Sequence, residues 1–578
     1  MIIYGNTNFQ GNFLFYAKFC FICTFKFIIG TFKNAPLSGD ELNVHMSSSF
    51  RGVPEFDSGG CHGYNRVIML AKITSGATVG LNATTIDVEV DIPNEGLPSF
   101  TIVGLPDKAV EEAKERVRSA IKNSGADFPT TRITVNLAPA DLPKVGPAYD
   151  LPIALGILIA SGNIAPRISD TLFFGELSLD GSLRHTNGIL PMAYLAKEKG
   201  IKRLFIPKIN EKEAAVVSNI DVFAPESLLD LVRFLSGTIA IEKTKKVSLL
   251  SLLKTSEAEF DFSEIIGQEH AKRAMEIAAA GSHNIFMKGT PGSGKTMLAR
   301  ALPGILPTLT EDEALEVTKI YSITGNLPSG QSIITSRPFR SPHHTTSRIG
   351  LIGGGSNPFP GEISLAHRGV LFLDEFPEFP RHVLESIRQP MEDGVVTISR
   401  AKGSVTYPAQ FLLVAASNPC PCGYFGDPKR ACKCLPGMIL RYQKRVSGPI
   451  LDRIDLHISL RLLETDKLVG NKEKAESSKS IQARVQKARD MQIRRFKGSK
   501  FKSNSEMSSK AVKEFCKLSP ECYAILRSAV ASMNLTARSY HKVIKVARTI
   551  ADLEGAKDIT TNHIAEALQY RPQNDDEI

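Results

Sequence analysis

The chain has 578 residues, 42% of them apolar and 22% charged, which is the balance of a soluble globular protein with material for about three to four cores. A net charge of +10 and a pI near 9.0 suit a polyanionic partner and equally suit a basic but indifferent surface. Nine cysteines, four of them crowded between 420 and 434, do not make a secreted disulfide framework and fit a reducing cytoplasm; no stretch reaches the ~18 uncharged apolar residues of a membrane span.

Residues 1–66 do not read like the rest. Phe13 to Phe32 is rich in Phe, Ile and Cys, but Lys18 and Lys26 interrupt it and no clean cleavage site follows. An unstructured or spurious extension is expected there, with Met69 available as the functional start. A first folded unit is expected over 67–237. Ile86, Val88, Val90 and Ile92 alternate with polar residues, as in a half-buried strand. Asp107 reads as an N-cap, followed at helical spacing by Val110, Ala113, Val117 and Ile121, with Gly125 as the stop.

Two segments of this unit, VNLAPADLPKVGPAYDLPIALGIL (Val135 to Leu158) and FFGELSLDGSLR (Phe173 to Arg184), resemble the amino-terminal domain of magnesium chelatase-like ATPases. The resemblance implies an α+β fold like the proteolytic domain of Lon protease. Aligned on the Lon motifs, Ala148 falls at the nucleophilic serine and Leu190 at the lysine base. A Ser–Lys dyad needs a hydroxyl and an amine in contact, so proteolysis is not expected. Residues 238–259 are polar with short apolar pieces and read as a linker.

A motor unit is expected over 260–463. GTPGSGKT, from Gly289 to Thr296, matches G-x-x-x-x-G-K-[ST] and lies between an apolar run (His283 to Met287) and a helical one (Met297 to Leu302). Gly289, Thr290, Pro291, Gly292, Ser293 and Gly294 can turn their amides toward phosphate oxygens, Lys295 can reach the outer phosphates, and the Thr296 hydroxyl suits Mg²⁺. Two more apolar runs end in Asp374-Glu375 and in Ser417-Asn418. Such runs are the mark of parallel strands covered on both faces, whose carboxyl ends carry the ligand. Charge then assigns Asp374 to Mg²⁺, Glu375 to polarising the attacking water, and Asn418 to that water or the γ-phosphate. Arg453 is placed to serve a neighbour's ATP, or to pair with Asp452 or Asp455 on its own surface.

These segments, with RPFRSPHHTTS, PGEISLAHRGVLFLDE, SNPCPCGYFGD and SGPILDRIDLHI, resemble the YifB/ComM family of magnesium chelatase-like AAA+ ATPases over about 69–570. The resemblance implies an α/β, P-loop AAA+ module with a helical lid (464–578), preceded by the Lon protease-like α+β domain. It implies ATP and Mg²⁺ as cofactors, a homo-hexameric ring and, in the competence members, a DNA motor aiding branch migration. Arg538 corresponds to the family's second nucleotide-sensing arginine. Magnesium chelatase motor subunits are expected to be similar only in the ATPase portion. A chelatase motor subunit and an ATP-gated scaffold stand as the rival functions.

Three basic segments could meet DNA phosphates: Arg337, Arg340, His343, His344 and Arg348 in an insertion; Arg400 and Lys402 at a hairpin spanning Val395 to Tyr407; and a helix over Ile481 to Lys502. Solvated surface or intersubunit contact fits them equally. Cys420, Cys422, Cys432 and Cys434 form C-x-C, nine residues, C-x-C. Four thiolates can enclose a structural Zn²⁺, and the unusual spacing also fits a reduced, metal-free loop. The tail from Gln573 is acidic and reads as disordered.

Overall fold

The computed structural model describes residues 70–572, apart from 94, 167, 250, 255, 257, 329–330, 332, 356–357, 401–402 and 462–474. The extension over 1–66, Met69, Lys402 and the tail from Gln573 therefore lie outside the described residues.

The amino-terminal unit starts from an antiparallel pair, β1 (Ala71–Val79) and β2 (Asn82–Asp91), in register from Ala71 opposite Val90 to Val79 opposite Asn82. Ile86, Val88 and Val90 are fully buried, because the two-residue period of a strand turns them to one face. With β3 (Ser99–Val103) and β4 (Arg132–Ala138) the sheet runs β1-β2-β4-β3, with β3 and β4 parallel. Asp107 caps the Lys108–Asn123 helix by accepting the Val110 amide at 2.9 Å, and the four expected apolar positions face the core. Gly125, at φ +79°, adopts the left-handed conformation that ends the helix cheaply. A second sheet is parallel, with β5 (Thr171–Phe173) beside the later strands β8 (Arg203–Phe205) and β9 (Asp221–Phe223); β6 (Glu176–Leu177) and β7 (Leu183–Arg184) pair separately. Ala148 and Leu190 are both buried in one apolar cluster with Leu172, Met192 and Ile206, so neither position offers a nucleophile or a base.

The described residues of 238–259 carry no helix or strand, yet they are fastened to both neighbours. The Thr244 amide donates to the Val222 carbonyl, the Lys254 amide donates to the Thr335 carbonyl, and Leu249 packs with Leu309, Ala314 and Ile333. Ser322 adds a direct tie, donating to the buried Glu213 carboxylate at 2.5 Å.

The motor sheet contains β10 (Ile285–Gly289), β11 (Phe339–Arg340), β14 (Val370–Leu373), β17 (Leu412–Ser417) and β18 (Leu456–Leu460) in the order β11-β14-β17-β10-β18, all parallel. Its apolar runs are explained by two cores. Val370, Phe372, Leu412, Val414 and Ala416 pack on one side with Met275 and Leu298, while Leu371, Leu373, Leu413 and Ala415 pack on the other with Leu384 and Ile387. Each β14 and β17 side chain is therefore dry whichever face it takes. Two antiparallel pairs stand outside the sheet: β12 (Gly353–Gly354) with β13 (Phe359–Pro360), and the expected hairpin, β15 (Val395–Arg400) with β16 (Gly403–Pro408).

The lid comprises the helices Ser478–Arg495, Ser509–Phe515, Pro520–Ser532, Ala537–Leu553 and Thr561–Gln569. The expected basic helix thus stops at Arg495, short of Lys502. Nor are all its cations solvated. The Arg489 guanidinium is buried and donates to the Ala279 carbonyl and Ser282 hydroxyl, Arg484 bonds to Glu276 at 2.7 Å, and Arg495 pairs with Asp552. Arg489 and Arg484 thus tie the lid to the core helix Glu269–Gly281 and its end, whereas the Arg495–Asp552 pair joins two helices within the lid.

Candidate nucleotide site

The phosphate loop leaves β10 at Gly289 and enters the Lys295–Ala301 helix through Gly294. Gly292 and Gly294 sit at φ +79° and +91°, where a β-carbon is penalised, so the loop can turn its amides inward only with glycine at both. Lys295 is nearly buried and donates to the carbonyls of Gly289 and Thr290 at 2.8 and 2.9 Å. Burial pushes its pKa down, opposed by the Asp374 carboxylate. The hydroxyls of Thr290 and Ser293 are buried and have no hydrogen-bond partner among the described residues. A glycine cradle with an ammonium and two unanswered hydroxyls has the donor set for a polyphosphate.

Asp374 and Glu375 follow β14. Thr296 donates to Asp374 Oδ2 at 2.8 Å, which joins the two expected Mg²⁺ ligands although 78 positions separate them. A hydroxyl and a carboxylate on one point are hard oxygen donors of the kind Mg²⁺ takes. Glu375, at φ +50°, keeps a half-exposed carboxylate beside His344, whose Nδ1 lies 3.1 Å from Glu375 Oε2. Asn418 lies directly beyond β17, beside β10 in the sheet, with its carbonyl accepting from Ser417.

Arg453 and Arg538 meet at a residue that the sequence did not single out. Glu392 accepts from Arg453 Nη2 and, at 2.6 Å, from Arg538 Nη2, and Asp452 lies 3.5 Å from Arg538. The alternative partners foreseen for Arg453, Asp452 and Asp455, are not the ones it takes. Asp455 is instead buried between Lys542 (2.9 Å) and His283 (3.4 Å). Burial alone would raise its pKa, but Lys542 and His283 outweigh it and hold the carboxyl far below the usual carboxylate range. Gln268 was also missed. Its Nε2 donates to the carbonyls of Ser293 and Arg461 at 3.3 and 2.7 Å, bracing the phosphate loop, and only its place just before the Glu269–Gly281 helix hinted at this.

The insertion needs correction as a DNA contact. Arg337 is buried and donates to Glu313 at 2.8 Å and to the carbonyls of Pro307 and Arg368, while Arg340 makes a two-pronged bond with Glu362 at 2.6 and 2.7 Å. Both charges are used in seating edge strand β11. His344 serves Glu375. His343 and Arg348 remain exposed there, as does Arg400 on the β15–β16 hairpin. Of the Ile481–Lys502 cations, Lys487, Arg494, Lys497 and Lys500 are exposed.

Strand order, glycine loop, buried lysine and paired Thr296–Asp374 define a P-loop nucleotide-binding module of the AAA+ type. Three family profiles match: one described as magnesium chelatase, subunit ChlI, over 261–468; its C-terminal region over 475–571; and subunit ChlI of Mg-chelatase over 88–210. The chain is 45% identical over 505 residues to the competence protein ComM of Haemophilus influenzae, covering 87% of this chain and 97% of that one. It is 43% identical over 504 residues to YifB of Escherichia coli, with the same coverage of both chains. The magnesium-chelatase 38 kDa subunit of Rhodobacter capsulatus is 28% identical over 179 residues, which is 28% of this chain and half of that one. The chain belongs to the ComM/YifB family of magnesium chelatase-like AAA+ ATPases, a family that implies the use of ATP and Mg²⁺. One profile with a chelatase description also falls outside the ATPase portion, over 88–210, while the chelatase subunit itself aligns over only 179 residues. Among the described residues no helix is long and apolar enough to cross a membrane.

Proposed function

We propose that this chain is a Mg²⁺-dependent ATP hydrolase that works as a homo-hexameric ring on DNA, with branch migration during recombination in natural transformation as its role. The observation that carries the hydrolase is the Thr296–Asp374 bond set beside the phosphate loop, with Glu375 next in the chain. Thr296 and Asp374 would hold Mg²⁺, which supplies positive charge against the phosphate oxygens. Lys295 adds a second positive charge, and the loop amides position the phosphates. Glu375 polarises the attacking water, and His344 holds that carboxylate until the water is in place. Asn418 orients water or phosphate.

The ring rests on Arg453 and Arg538. Glu392 gathers both guanidiniums at one place, suited to a phosphate on a neighbouring subunit. Arg453→Ala should bind ATP and hydrolyse it poorly, and mixing it with Lys295→Ala subunits should restore part of the activity. A fully active monomer at every concentration would refute the ring.

DNA as the partner is supported by the exposed Arg400 hairpin, by the exposed cations of 487–500 and by the printed name of the competence relative. The deciding experiment is the ATPase rate with and without single-stranded, duplex and branched DNA across a salt series. Stimulation that fades steeply with salt is expected, since phosphate contacts release counterions. Arg400→Glu should remove the stimulation and spare basal hydrolysis. If no DNA form binds at low salt, the ATP-gated scaffold takes the place of the motor. A chelatase role has the shorter match in its favour; porphyrin metallation stimulated by this chain would establish it.

A further inference from the structure

Beyond β17 and Asn418 the chain runs from 421 to 435 without helix or strand before the Pro436–Gln443 helix. Among those residues only Gly423 is buried, and Phe425 and Leu435 face solvent. A segment of this length with no apolar core needs another source of order. It has one. The Sγ atoms of Cys420, Cys422, Cys432 and Cys434 all lie within 4.8 Å of one another.

The spacing of the sulfurs is specific. Cys420–Cys422, Cys420–Cys432 and Cys422–Cys432 are separated by 3.4, 3.7 and 3.6 Å. Disulfide sulfurs would sit at about 2.0 Å, whereas bonds of about 2.3 Å to one tetrahedral Zn²⁺ put sulfurs about 3.8 Å apart. Backbone amides point at the same sulfurs, Phe425 N to Cys420 at 3.3 Å and Cys434 N to Cys432 at 3.5 Å, which favours thiolates over thiols. The loop also touches the nucleotide site. Gly423 packs so closely on Pro291 of the phosphate loop that a β-carbon there would lie 2.6 Å from Pro291 Cγ. At its start, Pro419 next to Asn418 is held through its carbonyl by Gln443.

We propose that Cys420, Cys422, Cys432 and Cys434 bind one Zn²⁺, and that this metal-braced loop holds Pro291 and Asn418 in the conformation that binds nucleotide. With four protein ligands the ion has no open position and takes no part in chemistry. Its effect is on preorganisation: a phosphate loop left competent about one-tenth of the time binds about tenfold more weakly. The coupling rests on the nucleotide-binding role of the phosphate loop; the metal site does not.

The test uses the full chain purified under reducing conditions without added metal. Elemental mass spectrometry should find about one zinc per chain, because the four thiolates together fill the tetrahedral shell of a single ion. Co²⁺ exchanged into the site should show thiolate-to-metal charge transfer with tetrahedral d–d bands. Trace zinc, or iron in its place, overturns the assignment. Affinity for a fluorescent ATP analogue is then compared before stripping with a thiol mercurial, after it, and after removal of the mercurial and return of Zn²⁺. A loss of about tenfold that zinc reverses supports the coupling, and unchanged affinity overturns it. Cys432→Ser with Cys434→Ser should lose the zinc and reproduce the stripped affinity. If the zinc-loaded protein binds no nucleotide at all, the ATPase role fails and the coupling with it, while the zinc count still decides the metal site.

Discussion

Lys295→Met separates the cost of burying a charge from its use. The Lys295 ammonium is nearly dry and donates to two backbone carbonyls, with its third hydrogen left for an anion. Methionine fills similar space, removes the desolvation cost and forfeits the two bonds, so unfolding without ligand should move by no more than about 1 kcal/mol. The bound state differs. A hydrogen bond to a charged group contributes about 1.5–3 kcal/mol, so affinity should fall about tenfold to 150-fold. At ATP-Mg²⁺ equal to about 100 times the wild-type Kd, ligand stabilisation of about 2.7 kcal/mol should drop to about 0.3–1.4 kcal/mol. Thermal unfolding with and without nucleotide reads this directly, at about 2–4 °C per kcal/mol for a module of some 200 residues. A nucleotide-dependent shift of full wild-type size in Lys295→Met would show that Lys295 does not face the phosphates.

Glu375→Gln should keep ATP binding and lose hydrolysis by orders of magnitude, because the amide cannot polarise water as the carboxylate does; undiminished turnover removes Glu375 from the mechanism. Asp455→Asn should destabilise the joint of core and lid by about 3–5 kcal/mol at neutral pH, since it strands the Lys542 charge. The folded pKa of Asp455 lies below its unfolded value of about 3.9, so its contribution is fully present above that pH and lost as pH falls toward the folded value. Urea unfolding of both forms should therefore differ at pH 7 and converge in acid, and equal stability at pH 7 would refute the pairing.

What could be read from residues alone was whatever local chemistry forces. Asp107 had to cap, because the first amides of a helix need an acceptor. Gly292 and Gly294 had to be glycine, because their backbone is left-handed. The β14 and β17 runs read as parallel strands, because a sheet covered on both faces leaves no polar position along them and the runs are too short for a buried helix. Tertiary structure decided where charges go when several partners are within reach. Arg337 and Arg340 read as free cations until Glu313 and Glu362 arrive from elsewhere in the fold, and His344 read as a surface basic group until β14 brings Glu375 beside it. Arg453 and Arg538 are 85 positions apart and share Glu392 only because the lid folds back on the core. A side chain's type states what it can bond. Which bond it makes depends on distances that pattern and spacing along the chain do not contain.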